Sequence, residues 1–204
     1  MKQLYNIWTN LAEVHQGKTD LWMWTQEELS YLWENENVRQ YLLKGPSNVG
    51  QSQPTNIAFP LLMDFLATPE TAIKERNQSA YLRFAHAETI MPFAGMIRLL
   101  GFFNQTNAMK QVAELWQDYW VGPMAANMQW IFYEHPFKKA ILLKILYNES
   151  EVRLPLRSSE GPYYDYQTVK AFYLQQLKAM ALNWHVSLVD MVRDYVQNCA
   201  CVKN

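Results

Sequence analysis

A histidine and a carboxylate two residues apart, in His86-Ala87-Glu88, stand where a short apolar run hands over to a helical pattern. The run Ala80-Tyr81-Leu82-Arg83-Phe84-Ala85 follows the polar stretch Lys74 to Ser79, which predicts a strand entering the interior. Beyond His86, the residues Ile90, Phe93, Met96, Ile97 and Leu100 recur at helical spacing up to Gly101. A helix with a glycine cap is expected, with Pro92 tolerated in its first turn. Strand, tight turn and helix would bring both side chains to one cavity, where the free N–H groups of the helix attract an anion. The matching chemistry is anion binding by His86 and proton donation by Glu88. A donor carboxyl must stay protonated, a form that a neighbouring anion and partial burial both favour. Alone, the pair is a weak signal, because a histidine beside an apolar strand is more often a hydrogen-bonded core residue.

The elements that must position the pair follow from periodicity. Tyr5, Trp8, Leu11 and Val14 predict a first helix, and Thr25 with Glu28 forms a capping box for a second. The second runs to about Leu43, where Lys44-Gly45-Pro46 ends it, glycine being suited to a left-handed cap. After a polar loop, Ile57 to Leu66 predicts a buried helix, and Pro69 restarts helix to about Glu75. Met128 to Tyr133 and Ala140 to Leu146 predict paired strands around the turn His135 to Lys139, and Val152 to Leu156 a short edge strand. Asp165 caps a long helix from Tyr166 to about Trp184, and Val186 to Val196 continues as helix. The expected fold class is α/β, a few central strands flanked by helices. It divides into a mainly helical cap region at 1–78 and a core at 79–204.

Composition limits the alternatives. Half of the 204 residues are hydrophobic and 18% are charged, which excludes intrinsic disorder. Eighteen basic against 19 acidic residues leave no long-range field for nucleic acid, and no apolar run reaches the roughly 20 residues of a membrane span. Cys199 and Cys201, the only cysteines, cannot complete a zinc site, so no metal and no cofactor is expected. Met1 to Thr9 lacks the apolar core of an export signal. Trp22, Trp24 and Trp33 are expected in packing, Met124 and Met128 as core fillers, Lys138 and Lys139 on a solvated turn, and Trp184-His185 at a helix end.

The stretch Leu82 to Gly101, LRFAHAETIMPFAGMIRLLG, resembles the acid-donor region of multiple inositol polyphosphate phosphatases, in the second branch of the histidine acid phosphatase superfamily. Ordinary phytases of that branch carry His-Asp there, whereas His86-Ala87-Glu88 is similar to the inositol polyphosphate phosphatase variant. The resemblance continues through Pro123 to Gln129, Tyr147 to Val152 and Leu154-Pro155-Leu156, and takes in Thr25-Gln26-Glu27-Glu28 with Trp33. It implies the C-terminal part of the histidine phosphatase fold and hydrolysis of phosphate monoesters such as phytate. His86 would contact the transferred phosphate and Glu88 would protonate the leaving oxygen. It assigns no individual role to Asn127, Asn148 or Glu149, and implies an exported or lumenal parent, periplasmic or secreted.

The family's Arg-His-Gly-x-Arg-x-Pro segment, whose histidine attacks phosphorus, does not occur: none of His15, His86, His135 and His185 follows arginine or precedes glycine. A phosphohistidine mechanism needs that nucleophile. The chain is therefore expected to act as a gene fragment, one piece of a split protein or a truncated chain, inactive alone and associating with a missing N-terminal segment. The competing readings are a catalytically inactive module binding an anion or a protein, and an incomplete product that aggregates or dimerises through exposed edges.

Overall fold

A computed structural model describes residues 2–14, 24–49, 53–76, 80–135, 137–158 and 161–183. Helix α1 (Lys2–Val14) is followed by α2 (Gln26–Lys44), whose capping box is formed as the sequence predicts. Thr25 Oγ1 accepts from the Glu28 N–H at 3.2 Å, and Glu28 Oε2 accepts from the Thr25 N–H at 2.8 Å. Gly45 ends α2 in an extended conformation, φ −81°, rather than the expected left-handed one. Close approach explains the glycine: a Cβ there would lie 2.8 Å from the Tyr41 carbonyl oxygen and 2.9 Å from its Cα. A 3-10 turn at Pro54–Ala58 leads into α3 (Phe59–Glu75), which runs unbroken through Pro69. Its buried stripe of Phe59, Leu62, Leu66 and Pro69 holds the helix across the missing donor.

Helix α4 (Ala87–Met96) begins directly after His86, so Pro92 falls in its second turn instead of the first. It ends before Gly101 because Arg98 takes the left-handed position, φ 54°. The Leu99 N–H then donates to the Ala94 carbonyl at 3.2 Å and the Arg98 N–H to Gly95 at 3.0 Å, the paired bonds of a Schellman ending. Two single-turn helices follow, α5 (Val112–Leu115) and α6 (Asp118–Val121). Buried Asn37 of α2 pins the turn between them, donating to the Trp116 carbonyl and accepting from the Asp118 N–H, both at 2.8 Å.

Strand β1 (Met128–Glu134) pairs antiparallel with β2 (Ile141–Tyr147). Strands β3 (Ser150–Glu151) and β4 (Tyr164–Asp165) both pair antiparallel with β2. The register puts Trp130 opposite Ile145 and Phe132 opposite Leu143, so alternate residues of both strands face the core. Asn148 and Glu149, φ 48° and 63°, make the two-residue turn into β3, and the Asn148 side chain accepts from the Asn127 N–H at 3.1 Å. Val152 to Leu156 does not extend the sheet; only Ser150–Glu151 is strand. Helix α7 (Tyr166–Asn183) closes the described chain, with Asp165 Oδ1 accepting from the Thr168 N–H at 2.8 Å. The fold class is α/β, and one buried cluster gathers Tyr41, Leu62, Phe93, Leu143, Tyr166 and Tyr173.

One side-chain expectation changes, at Met124, while Trp24 and Trp33 pack as expected. Met124 is 85% exposed and fills no core gap, whereas Met128 packs on the core. Trp24 is buried, and Trp33 is part-buried with its indole N–H on Asp118 at 3.1 Å. Trp22, Trp184, His185, Cys199, Cys201 and the helix expected at Val186 to Val196 lie outside the described residues. No helix among the described residues is long and apolar enough to cross a membrane.

Candidate active site

His86 is the N-cap residue of α4 and Glu88 lies in its first turn, so the two sit together at the positive end of the helix. Extended backbone at His86, φ −104° and ψ 172°, turns the chain into the helix. The His86 carbonyl accepts from the N–H groups of Thr89 at 2.9 Å and Ile90 at 3.2 Å, and its imidazole makes no capping bond. Both side chains are exposed. They share one helix end, as the His-x-Glu spacing predicts, but on an open surface rather than in a closed cavity. Two grooves, of about 530 and 220 Å³, lie elsewhere: one is lined by Thr55, Arg98, Phe103 and Gln176, the other by Asn104, Trp116 and Trp120.

The segment before His86 differs from expectation. Ala80 to Ala85 forms no strand among the described residues, and it lies on the surface rather than in the interior. The antiparallel β1–β2 pair is built from residues far along the chain, and no strand among the described residues neighbours this segment. What fixes the segment is Arg83. Its guanidinium donates to Asp64 and, at 2.8 Å, to Thr68 Oγ1, both on α3, and stacks 4.6 Å from the centroid of Phe65. Phe65 in turn contacts Phe93 of α4, with centroids 4.8 Å apart, and Trp130 of β1 at 5.3 Å. An aromatic layer thus ties the approach segment, α4 and the sheet together beneath the pair.

Lys44, in the last turn of α2 beside the Gly45-Pro46 helix stop, completes the constellation. Its Nζ lies 2.7 Å from Glu88 Oε1, with the lysine mostly buried and the glutamate largely exposed. The hydrogen bond and charge of Lys44, helped by the Glu88 backbone N–H and by His86, hold the Glu88 carboxyl below its ordinary value. Glu88 is therefore a carboxylate here, the reverse of the raised value expected of a donor. A basic residue in the last turn of α2 was the only sequence signal for Lys44, and it is equally explained by the helix dipole.

His135 accepts from the N–H groups of Phe137 and Lys138, both at 3.1 Å, within its own turn, well separated in sequence from the pair. No three histidine, cysteine or acidic side chains cluster as a metal site among the described residues.

No protein-family model and no curated protein matches the chain. Solved structures do. The multiple inositol polyphosphate phosphatase of Bifidobacterium longum in complex with inositol hexasulfate superposes with a TM-score of 0.72 at 28% identity, over 84% of this chain and 38% of that one. The same enzyme with phosphate gives 0.70 at 28% identity, and its apo form 0.69 at 29% identity, each over 84% of this chain and 39% of the other. The chain is thus similar, through most of its length, to little more than a third of a multiple inositol polyphosphate phosphatase, as a C-terminal portion of that fold would be.

Proposed function

We propose that this chain carries the phosphate-contacting and proton-donating half of a phosphate monoester hydrolase acting on inositol polyphosphates. The carrying observation is the shared position of His86, Glu88 and Lys44 at the N-terminal end of α4. Similarity to a phosphatase solved with inositol hexasulfate and with phosphate supports it. In the proposed reaction His86 and the helix N–H groups hold the transferred phosphate. A histidine from the Arg-His-Gly segment, supplied by polypeptide outside this sequence, forms the N–P bond as the ester P–O bond breaks. Glu88 gives its proton to the leaving alcohol oxygen. Water then attacks phosphorus, its proton passes to the Glu88 carboxylate, and the N–P bond breaks to release phosphate.

The paired, ionised state of Glu88 gives Lys44 a place in this scheme. An anionic substrate competes for the ammonium; Glu88 loses its partner and meets negative charge instead, which favours the protonated donor form. Joined to an N-terminal segment bearing the nucleophile motif, the chain should hydrolyse phytate, and alone it should not. Glu88→Gln should lower turnover about 10² to 10⁴-fold, the usual contribution of a positioned acid. Unchanged turnover would remove the donor assignment.

A second reading, an anion-binding module without turnover, is favoured for the isolated chain by the absent motif. Calorimetry with inositol hexakisphosphate separates the two: tight one-to-one binding without phosphate release marks the module.

A further inference from the structure

The larger of the two grooves, about 530 Å³, lies at the C-terminal end of α4, the opposite end from His86, and at 1.5 Å per residue roughly 15 Å of helix separates the two. Small-molecule sites have volumes of about 300 to 1,000 Å³. The groove is walled by the side-chain amides of Gln53, Asn56, Gln105, Gln175 and Gln176, and no acidic residue lines it among the described residues. Two of these amides are held in place: Gln105 donates to the Pro46 carbonyl at 2.7 Å and Gln176 to the Met96 carbonyl at 2.8 Å. Each keeps its own carbonyl oxygen as an acceptor, and that of Gln176 is buried without a donor. Arg98 is the one charged residue in the lining among the described residues. Its guanidinium lies 5.5 Å from the centroid of Phe103 and makes no ion pair among the described residues. Arg98 also holds the left-handed position after α4, φ 54°, where glycine or asparagine is the usual residue. An arginine there overrules the local backbone preference, which calls for a use of its side chain.

We infer that this groove binds a small polyol carrying one anionic group, of the class of a singly phosphorylated cyclitol or sugar, at a site separate from His86 and Glu88. Arg98 takes the anion, since its planar fork of N–H donors matches phosphate oxygens. The amides take the hydroxyls, because an amide both donates and accepts, as a hydroxyl does. A hydroxyl donor at Gln176 also satisfies an acceptor that is costly to leave buried and unpaired. One cation among amides discriminates by charge: it holds a single anionic group, and a ring with every hydroxyl phosphorylated brings repelling charges and no hydroxyl to read. A cation after the last turn of α4 also complements the helix dipole, but that role requires neither the ring of amides nor arginine in particular. The inference stands apart from the phosphatase reading. In a phosphatase such a groove suits a product, which has fewer phosphates and more hydroxyls than the substrate.

The test is calorimetry on the full chain with inositol monophosphate. Saturable one-to-one binding is expected, with inorganic phosphate and uncharged inositol each bound at least tenfold more weakly. Arg98→Asn removes the cation while suiting the left-handed backbone, so it should weaken binding at least tenfold without lowering the melting temperature. Gln175→Ala, at an exposed position of α7, should weaken binding at least threefold and leaves the helix intact. No binding, binding of inorganic phosphate as tight as that of inositol monophosphate, or binding indifferent to both substitutions would each overturn the polyol groove. Binding lost in His86→Ala but kept in Arg98→Asn would place the ligand at the candidate active site, which overturns the groove and leaves the phosphatase reading standing. Binding lost in Arg98→Asn supports the groove whether or not the reunited protein hydrolyses phytate, so the two claims fail separately.

Discussion

At the residue scale the informative pair is Lys44 and Glu88, because the Lys44 ammonium is the main cause that holds the candidate donor's carboxyl below its ordinary value. Glu88 is depressed first by the hydrogen bond from Lys44, so any stability it confers is present above the unfolded carboxyl range and is lost as pH falls through the lower folded value. The glutamate is largely exposed and screened, and such pairs are worth about 0 to 1 kcal/mol. The larger consequence is chemical. Lys44→Met should move the Glu88 titration, followed by carboxyl NMR, upward toward the ordinary glutamate value with little change in melting temperature. A titration that stays in place would show that the helix end, not Lys44, holds the carboxylate.

At the element scale, the placement of α4 depends on how closely it packs against the Pro54–Ala58 turn. Gly95 makes that contact possible: an added Cβ would lie 2.5 Å from Thr55 Cγ2, on a buried threonine. Gly95→Ala should therefore destabilise the chain by about 1 to 3 kcal/mol through overpacking, despite the gain in helix propensity. Combining it with Thr55→Ser, which removes the offending methyl, should restore most of the loss, and urea midpoints of the two single variants and the double variant measure the coupling. Simple additivity would mean that α4 and the turn are not in contact at that point. The far end of α4 is held by Tyr173, whose hydroxyl donates to the Ile97 carbonyl at 2.7 Å, so helix and site are fixed from both ends.

At the scale of the whole molecule, three tyrosines bind distant parts of the chain together. Tyr147 donates to the Val121 carbonyl, Tyr166 to Leu66 at 2.8 Å and Tyr173 to Ile97. Burial pushes all three phenols well above the ordinary value of 10.0. A raised pKa means stability that is complete below about pH 10 and lost as pH rises through the folded values. Alkaline titration by tyrosine absorbance should show exposed phenols ionising first and these three ionising together, coincident with loss of near-ultraviolet circular dichroism. Ionisation of all tyrosines before unfolding would contradict their burial.

What the sequence determined by itself was local: the Thr25–Glu28 capping box, the pairing of the runs Met128 to Tyr133 and Ala140 to Leu146, the Asp165 cap, and the meeting of His86 and Glu88 at one helix start. Each is fixed by side chains within a few residues of one another or by a clear period. Through its resemblance to a known motif, the sequence also pointed to the family of the solved neighbours. Tertiary structure alone decided the rest. Ala80 to Ala85 has a strand's composition, but a strand needs a partner backbone, and none is supplied among the described residues. Lys44 lies 44 residues from Glu88 and meets it only because α2 and α4 pack together. That contact, invisible to any local pattern, is the main cause that lowers the Glu88 carboxyl.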